Sequence, residues 1–505
     1  MGSTAAAPPP PPASDSKSGY ITNHRFADLS ISAESRRGVN EVLGYEFMTK
    51  VQAETLPVIL QGTDVLAKAK TGTGKTLGFL IPSVEVLLST PVPPPGPNSP
   101  IRVLILSPTR ELAAQISVEG EKLCQYQDFR FLTVVGGKDI KKDQRAMNNG
   151  RLDFLVATPG RLIDHLENTR DFAYRLQNIH LFILDEADQM LDMGFKPALD
   201  KIMTYLPNKQ GRQTLLFSAT VPPSIQAMGP KFLRQGYQYI DTVGEEAPQT
   251  HDHVPQELLV TPLEMQVLGA FELLAHATQV PNHKIIVFFS TARVTGLFAE
   301  FWTAMGRPCF EIHSRKSQPA RDKASNAFRA STNGAVMFTS DVTARGLDYP
   351  DVTFVLQVGL TTKEQYIHRL GRTARAGKGG KGLLLLADFE ARAMASELRT
   401  LPIKNSTVVL SPNDPSVNPV ADALNRVYQR VANENDPLNK SACQSYQAWL
   451  GFYNGNLRKL GWNKQQLVET ANYYSQCIGC PYPPALERKT VGKMGLKGVP
   501  GLNIN

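Results

Sequence analysis

The sequence predicts an α/β protein: two tandem, doubly wound parallel-sheet domains followed by a helical C-terminal extension. Three observations predict it. Short aliphatic and β-branched runs alternate with stretches of helical length, and this alternation stops near residue 395. A glycine-rich stretch follows the first run, and an acidic tetrad ends a later one. At 505 residues the chain also exceeds one comfortable core, so two or more domains are expected.

In the first half the expected strands are 64–67, 102–106, 131–135, 153–157, 181–184 and 213–217. The Pro-rich stretch 91–100 reads as a surface insertion among them. The second half offers 284–289, 335–338, 353–358 and 382–387, with no glycine-rich loop of its own. Residues 1–20, rich in Ala, Pro and Ser, are expected to be disordered. The first domain then spans 21–243, a polar linker 244–256, the second domain 257–395 and the helical extension 396–505. The extension's many aromatics, Trp449, Tyr453, Trp462 and Tyr474 among them, favour packing over base stacking.

The glycine-rich stretch is Ala69-Lys70-Thr71-Gly72-Thr73-Gly74-Lys75-Thr76. The tetrad is Asp185-Glu186-Ala187-Asp188, after Leu181-Phe182-Ile183-Leu184. Hydrolysing a nucleoside triphosphate needs backbone N–H groups for phosphates, a nearby cation and a carboxylate for magnesium. The glycines let the backbone curl around phosphates, Lys75 supplies the cation, and Thr76 offers a hydroxyl to the metal. Asp185 can hold the metal from the opposite side, and Glu186 can orient the attacking water. Together these signatures define an NTPase.

Composition narrows the partners. Lys and Arg number 54 against 46 Asp and Glu, a net +8 that suits a polyanion without requiring one. No apolar window is long enough for a membrane span, and no membrane association is expected. The five scattered cysteines read as reduced thiols, and Cys477 and Cys480 lack the further ligands of a zinc site. The start carries no targeting pattern, so cytoplasm or nucleus is expected, or the mitochondrion if the N-terminus is truncated or processed.

Further signatures arrive in a fixed order. They include residues 44–52, Pro108-Thr109-Arg110-Glu111-Leu112, Gly136-Gly137, Thr158-Pro159-Gly160-Arg161 and Ser218-Ala219-Thr220. The second half holds Gln318-Pro319-Ala320-Arg321, Ser340-Asp341, Arg345-Gly346-Leu347-Asp348 and His368-Arg369-Leu370-Gly371-Arg372-Thr373-Ala374-Arg375. With these residues the chain resembles the DEAD-box ATP-dependent RNA helicases of superfamily 2, across roughly residues 25–390. Residues 339–350, 357–360 and 495–502 are similar to a fungal mitochondrial-type subgroup with plant relatives and a helical C-terminal extension.

The resemblance implies two RecA-like domains with ATP, Mg2+ and RNA bound across the cleft. It makes Tyr45 a stacking ring and Gln52 an adenine reader, although the family often has Pro where this chain has Met48. Asp348 would contact the ribose, and Arg372 and Arg375 would be arginine fingers for the γ-phosphate. Ser218 and Thr220 would couple hydrolysis to closure. Arg110, Gly137, Thr158, Arg161, Arg321 and Ser340 would hold the RNA backbone, with Thr109 and Thr158 equally suited to capping helices. The function implied is local unwinding or remodelling of RNA by a monomer whose cleft closes with ATP. The alternative is an ATP-gated RNA clamp or annealing chaperone with slow turnover.

Overall fold

The computed structural model describes residues 21–505, apart from 71, 95, 97, 138, 149, 244–253, 342–348 and 375–378. The expected N-terminal disorder and most of the expected linker lie outside these residues.

The chain opens with an antiparallel pair, β1 (Ile21–Arg25) and β2 (Phe47–Thr49). The first sheet then comprises β3 (Val65–Lys68), β4 (Val103–Leu106), β5 (Phe131–Val134), β6 (Phe154–Ala157), β7 (Leu181–Leu184), β8 (Gln213–Ser218) and β9 (Gln238–Asp241). All its pairings are parallel, in the order β5-β6-β4-β7-β8-β3-β9. Register aligns Val103 with both Phe154 and Leu181, and Val65 with Leu215.

These strands form because successive side chains point to opposite faces and both faces are covered. Val103, Ile105, Leu181 and Ile183 enter one core, while Leu104, Leu106, Phe182 and Leu184 enter the other. Each core is sealed by helices. Lys75–Leu88 and Arg110–Leu123 cover the first face, and Pro159–Asn168 and Lys196–Tyr205 the second.

The second sheet repeats the plan. Its strands are β10 (Gln256–Thr261), β11 (Lys284–Phe289), β12 (Phe310–Ile312), β13 (Ala335–Thr339), β14 (Phe354–Val358), β15 (Lys381–Ala387) and β16 (Lys404–Asn405). The order β12-β13-β11-β14-β15-β10-β16 is the same permutation as in the first sheet, again wholly parallel. The sheet reaches past residue 395, because β16 pairs with β10. β10 starts at Gln256, the last residue drawn into the linker.

The extension contributes helices Pro419–Val431, Pro437–Asn454 and Lys464–Cys477. Their apolar faces merge with one face of the second sheet into a single core that includes Leu424, Tyr446, Trp449 and Tyr453. Phe389 of the second domain meets the rings of Trp449, Tyr453 and Trp462, with centroids 6.3, 5.6 and 4.7 Å away. The aromatics thus serve mainly as packing, and Tyr473 is among the few that stay exposed. No described helix is long and apolar enough to cross a membrane.

Candidate functional site

From the phosphate loop onward, every motif of the first half sits at the carboxyl end of a parallel strand, where doubly wound sheets open a crevice. The phosphate loop follows β3, the tetrad follows β7, and Ser218 ends β8. Because β8 lies between β3 and β7, Ser218 and Thr220 stand between the phosphate loop and the acidic residues. Ala69 N donates to Ser218 O at 2.9 Å, which fixes the start of the loop.

The loop ends in the 14-residue helix Lys75–Leu88, whose first turn has no side-chain cap. Its N–H groups are left for phosphate oxygens, and the helix dipole favours their charge. Lys75 is buried, and its Nζ donates to Glu186 Oε1 at 2.8 Å. Burial works against the Lys75 charge, but Glu186 and Asp185 outweigh it and hold the pKa above that of a free lysine. Burial pushes the Asp185 carboxyl up, against the pull of Lys75 and with repulsion from Glu186 added. A divalent cation relieves such crowding of buried carboxylates. Glu186 takes a left-handed backbone (φ 52°), an uncommon state for a side chain beyond glycine. Its Oε2 is buried and accepts no hydrogen bond.

Asp188 ties the tetrad to the Ser218–Thr220 turn. Its Oδ2 accepts from Thr220 N at 3.0 Å and from Thr220 Oγ1 at 2.8 Å. Ser218 Oγ donates to Thr220 O at 2.6 Å and accepts from Asp188 N at 3.3 Å. From the second domain, His368 Nε2 reaches Asp188 Oδ2 at 3.9 Å. Nearby, a cavity of about 330 Å³ opens between the domains, with Gln189 and Met193 on one side and Ser340, Asp341, Gln365 and His368 on the other.

Gln52 is buried and engaged at both ends. Its Nε2 donates to Gly74 O at 2.9 Å, and its Oε1 accepts from Thr49 N at 2.8 Å. It therefore pins the phosphate loop to the start of its own helix. An amide has two N–H groups and two acceptor sites, so one of each remains for a base edge. Tyr45 is half exposed.

A second cluster bridges the domains. Arg321 pairs with Glu111 at 2.6 Å, Gln318 Nε2 donates to Glu111 Oε1 at 3.0 Å, and Arg110 Nη1 donates to Gln318 Oε1 at 3.3 Å. Burial, then the Arg321 charge, lowers the Arg110 pKa. Gly137 (φ 78°) lies against Arg110, since a Cβ there would stand 2.1 Å from Nη1. The structure thus brings Arg110, Gly137 and Arg321 together. Thr109 caps its helix through Leu112 N at 3.3 Å, whereas the Thr158 side chain makes no cap bond. Arg161 is held by Asp143 at 3.2 Å and Asp164 at 3.3 Å. Arg372 is buried just beyond helix Lys363–Leu370. Thr71, Asp348 and Arg375 lie outside the described residues.

The chain matches the DEAD/DEAH box helicase family over residues 49–228 and the helicase conserved C-terminal domain over 268–377. The DEAD-box ATP-dependent RNA helicase 26 of rice (Oryza sativa subsp. japonica) is 45% identical over 487 residues, 96% of this chain and 87% of the relative. This chain belongs to the DEAD-box family of ATP-dependent RNA helicases. The DEAD-box ATP-dependent RNA helicase 25 of Arabidopsis thaliana is 41% identical across 96% of this chain and 84% of its own. Among solved structures, Mss116p bound to ssRNA and AMP-PNP is similar, with a TM-score of 0.79 at 26% identity over 94% of this chain and 95% of that one. That coverage takes in the C-terminal helices of this DEAD-box chain as well as its two sheets.

Two roles in this DEAD-box site had escaped the sequence. Asp188 and His368 were visible only as motif members, although together they tie the Ser218–Thr220 turn to the second domain. The grip of Gln52 on the phosphate loop was also unforeseen, since an i, i+22 contact leaves no local pattern. Gln52→Ala should therefore raise the KM for ATP about tenfold, the cost of one or two lost buried hydrogen bonds. It should also erode preference for ATP over GTP. Steady-state assays with both nucleotides check this, and equal use of GTP by the unaltered protein contradicts adenine reading.

Proposed function

We propose that this chain is an RNA-dependent ATPase that separates short RNA duplexes or remodels RNA–protein complexes by closing its cleft. The observation that carries this reading is the division of the polar apparatus between domains. Lys75, Asp185 and Glu186 belong to the first, Arg372 to the second, and Asp188–His368 and Glu111–Arg321 lie across the gap.

Thr76 and Asp185 fit magnesium, which favours one or two carboxylates alongside phosphate oxygens and water. When bound there, the ion would neutralise developing charge on the phosphates. The chain's own residues do the rest. The amides of the phosphate loop and Lys75 orient the triphosphate, while Tyr45 and Gln52 face the base. Glu186 orients water, and Arg372 with Arg375 meets the γ-phosphate on closure; Asp348 meets the ribose. Asp188 then reports the state of this site to His368 and to the Ser218–Thr220 turn. Arg110, Gly137, Thr158, Arg161, Arg321 and Ser340 hold the RNA backbone without reading bases. A cleft that accepts only a bent strand pries neighbouring base pairs apart. Hydrolysis and phosphate release reopen it.

The match of plant relatives through the extension supports the extension-bearing subgroup. We propose a monomer in cytoplasm or nucleus, or in the mitochondrion if the N-terminus is truncated or processed.

Strand displacement tests the function. ATP should release a strand from a short RNA duplex, with the rate falling steeply as the duplex lengthens. Length-independent release would indicate tracking, and slow phosphate release with persistent RNA binding would indicate a clamp.

A further inference from the structure

Glu390 is fully buried, yet it carries a carboxylate at the junction of four segments. Its Oε2 accepts from Ala387 N at 2.8 Å, at the end of β15, and from Gln266 Nε2 at 2.7 Å, on helix Leu263–Ala277. Its Oε1 accepts from Leu360 N at 2.8 Å and from the Tyr453 hydroxyl of the extension. Gly359 (φ 90°) makes room, since a Cβ there would lie 3.3 Å from Oε1. Burial raises the Glu390 pKa, and its donors pull the other way.

A second tie from the extension reaches the next residue. Lys459 Nζ donates to Thr361 O at 3.1 Å and pairs with Glu397 at 2.8 Å. Leu360 and Thr361 immediately precede Thr362, which caps helix Lys363–Leu370 through Gln365 N at 3.2 Å. That helix carries His368, which approaches Asp188, and it leads to Arg372.

We infer that Glu390, Tyr453 and Lys459 are positioning residues, through which the docked extension sets the helix that delivers His368 and Arg372 to the ATP site. The inference rests on the arginine assignment made above. These ties fall on the two residues next to the helix cap, so loosening them shifts the whole helix. Displacements of about 1 Å at a reacting group cost up to about a hundredfold in rate.

The test compares Tyr453→Phe/Lys459→Met with Tyr474→Phe in the full-length protein. Tyr474 is buried in the extension, where its hydroxyl shares a hydrogen bond with Ser445 at 2.9 Å. Both variants should melt at similar, slightly lowered temperatures. The double variant should lose about tenfold in RNA-stimulated kcat with its KM for ATP within about twofold of normal. The Tyr474→Phe variant should keep its kcat, and Lys459→Arg should retain most activity. Unchanged kcat in a folded double variant would overturn the positioning role and leave a buttress. Lys459→Met alone, at a half-buried position, serves if the double variant does not fold, and unchanged kcat there overturns the role equally. Arg372→Ala, assayed alongside, separates the layers. Loss there without loss at Tyr453 and Lys459 refutes only the positioning role, whereas no loss there refutes the arginine assignment beneath it.

Discussion

Glu186→Gln should bind ATP and RNA as the unaltered protein does, yet hydrolyse ATP at least about a hundredfold more slowly. The carboxylate is held by a left-handed backbone at the end of β7, and its Oε2 is buried with no donor. That oxygen is therefore placed to orient a water and receive its proton. Glutamine has the same shape but a much weaker base. It leaves Asp185 beside Lys75, so the buried lysine is not stranded without a counter-charge. The readout is a pair of measurements, nucleotide affinity and single-turnover hydrolysis. Normal hydrolysis by the variant contradicts the water-orienting role.

Arg372→Ala should lower RNA-stimulated kcat by about a thousandfold, roughly 4 kcal/mol of transition-state stabilisation. Charge spreads over the equatorial oxygens of the transferring phosphoryl group, and a planar multi-donor cation matches it. Arg372 is buried to 1% exposure, so its contribution is not diluted by solvent. ATP affinity of the open protein should barely change, because the first domain supplies the phosphate loop and Lys75. Arg372→Lys should recover little, since an ammonium lacks the guanidinium fork. A variant that keeps kcat but loses ATP affinity would assign Arg372 to ground-state binding instead.

Much of the fold was legible because parallel strands covered on both faces read as short, unbroken aliphatic runs. All ten runs expected from the sequence are strands, displaced by no more than a residue at either end. The six described strands that escaped, β1, β2, β9, β10, β12 and β16, lack that signal, and β1, β2 and β12 are short or exposed. β9 is a half-exposed edge strand, Gln238-Tyr239-Ile240-Asp241, and β16 is only two residues long. β10 hides behind a polar stretch and exposes Val260, although it lies inside the sheet between β15 and β16. The phosphate loop and tetrad were legible because their chemistry is local in sequence. What was not legible is long-range: Gln52 on Gly74, Asp188 near His368, Glu111 on Arg321, and Tyr453 on Glu390. Each depends on which strand ends and helices the topology makes neighbours, and residue spacing carries no trace of that.

The most direct test of closure-driven catalysis is the steady-state ATPase rate of the intact protein with and without single-stranded RNA. Because Lys75 and Glu186 sit in one domain and Arg372 in the other, RNA should raise kcat at least about tenfold. DNA of the same sequence should not substitute, since the 2′-hydroxyl is what lets a backbone reader tell RNA from DNA. Equal hydrolysis with and without RNA would contradict a site completed by RNA-driven closure.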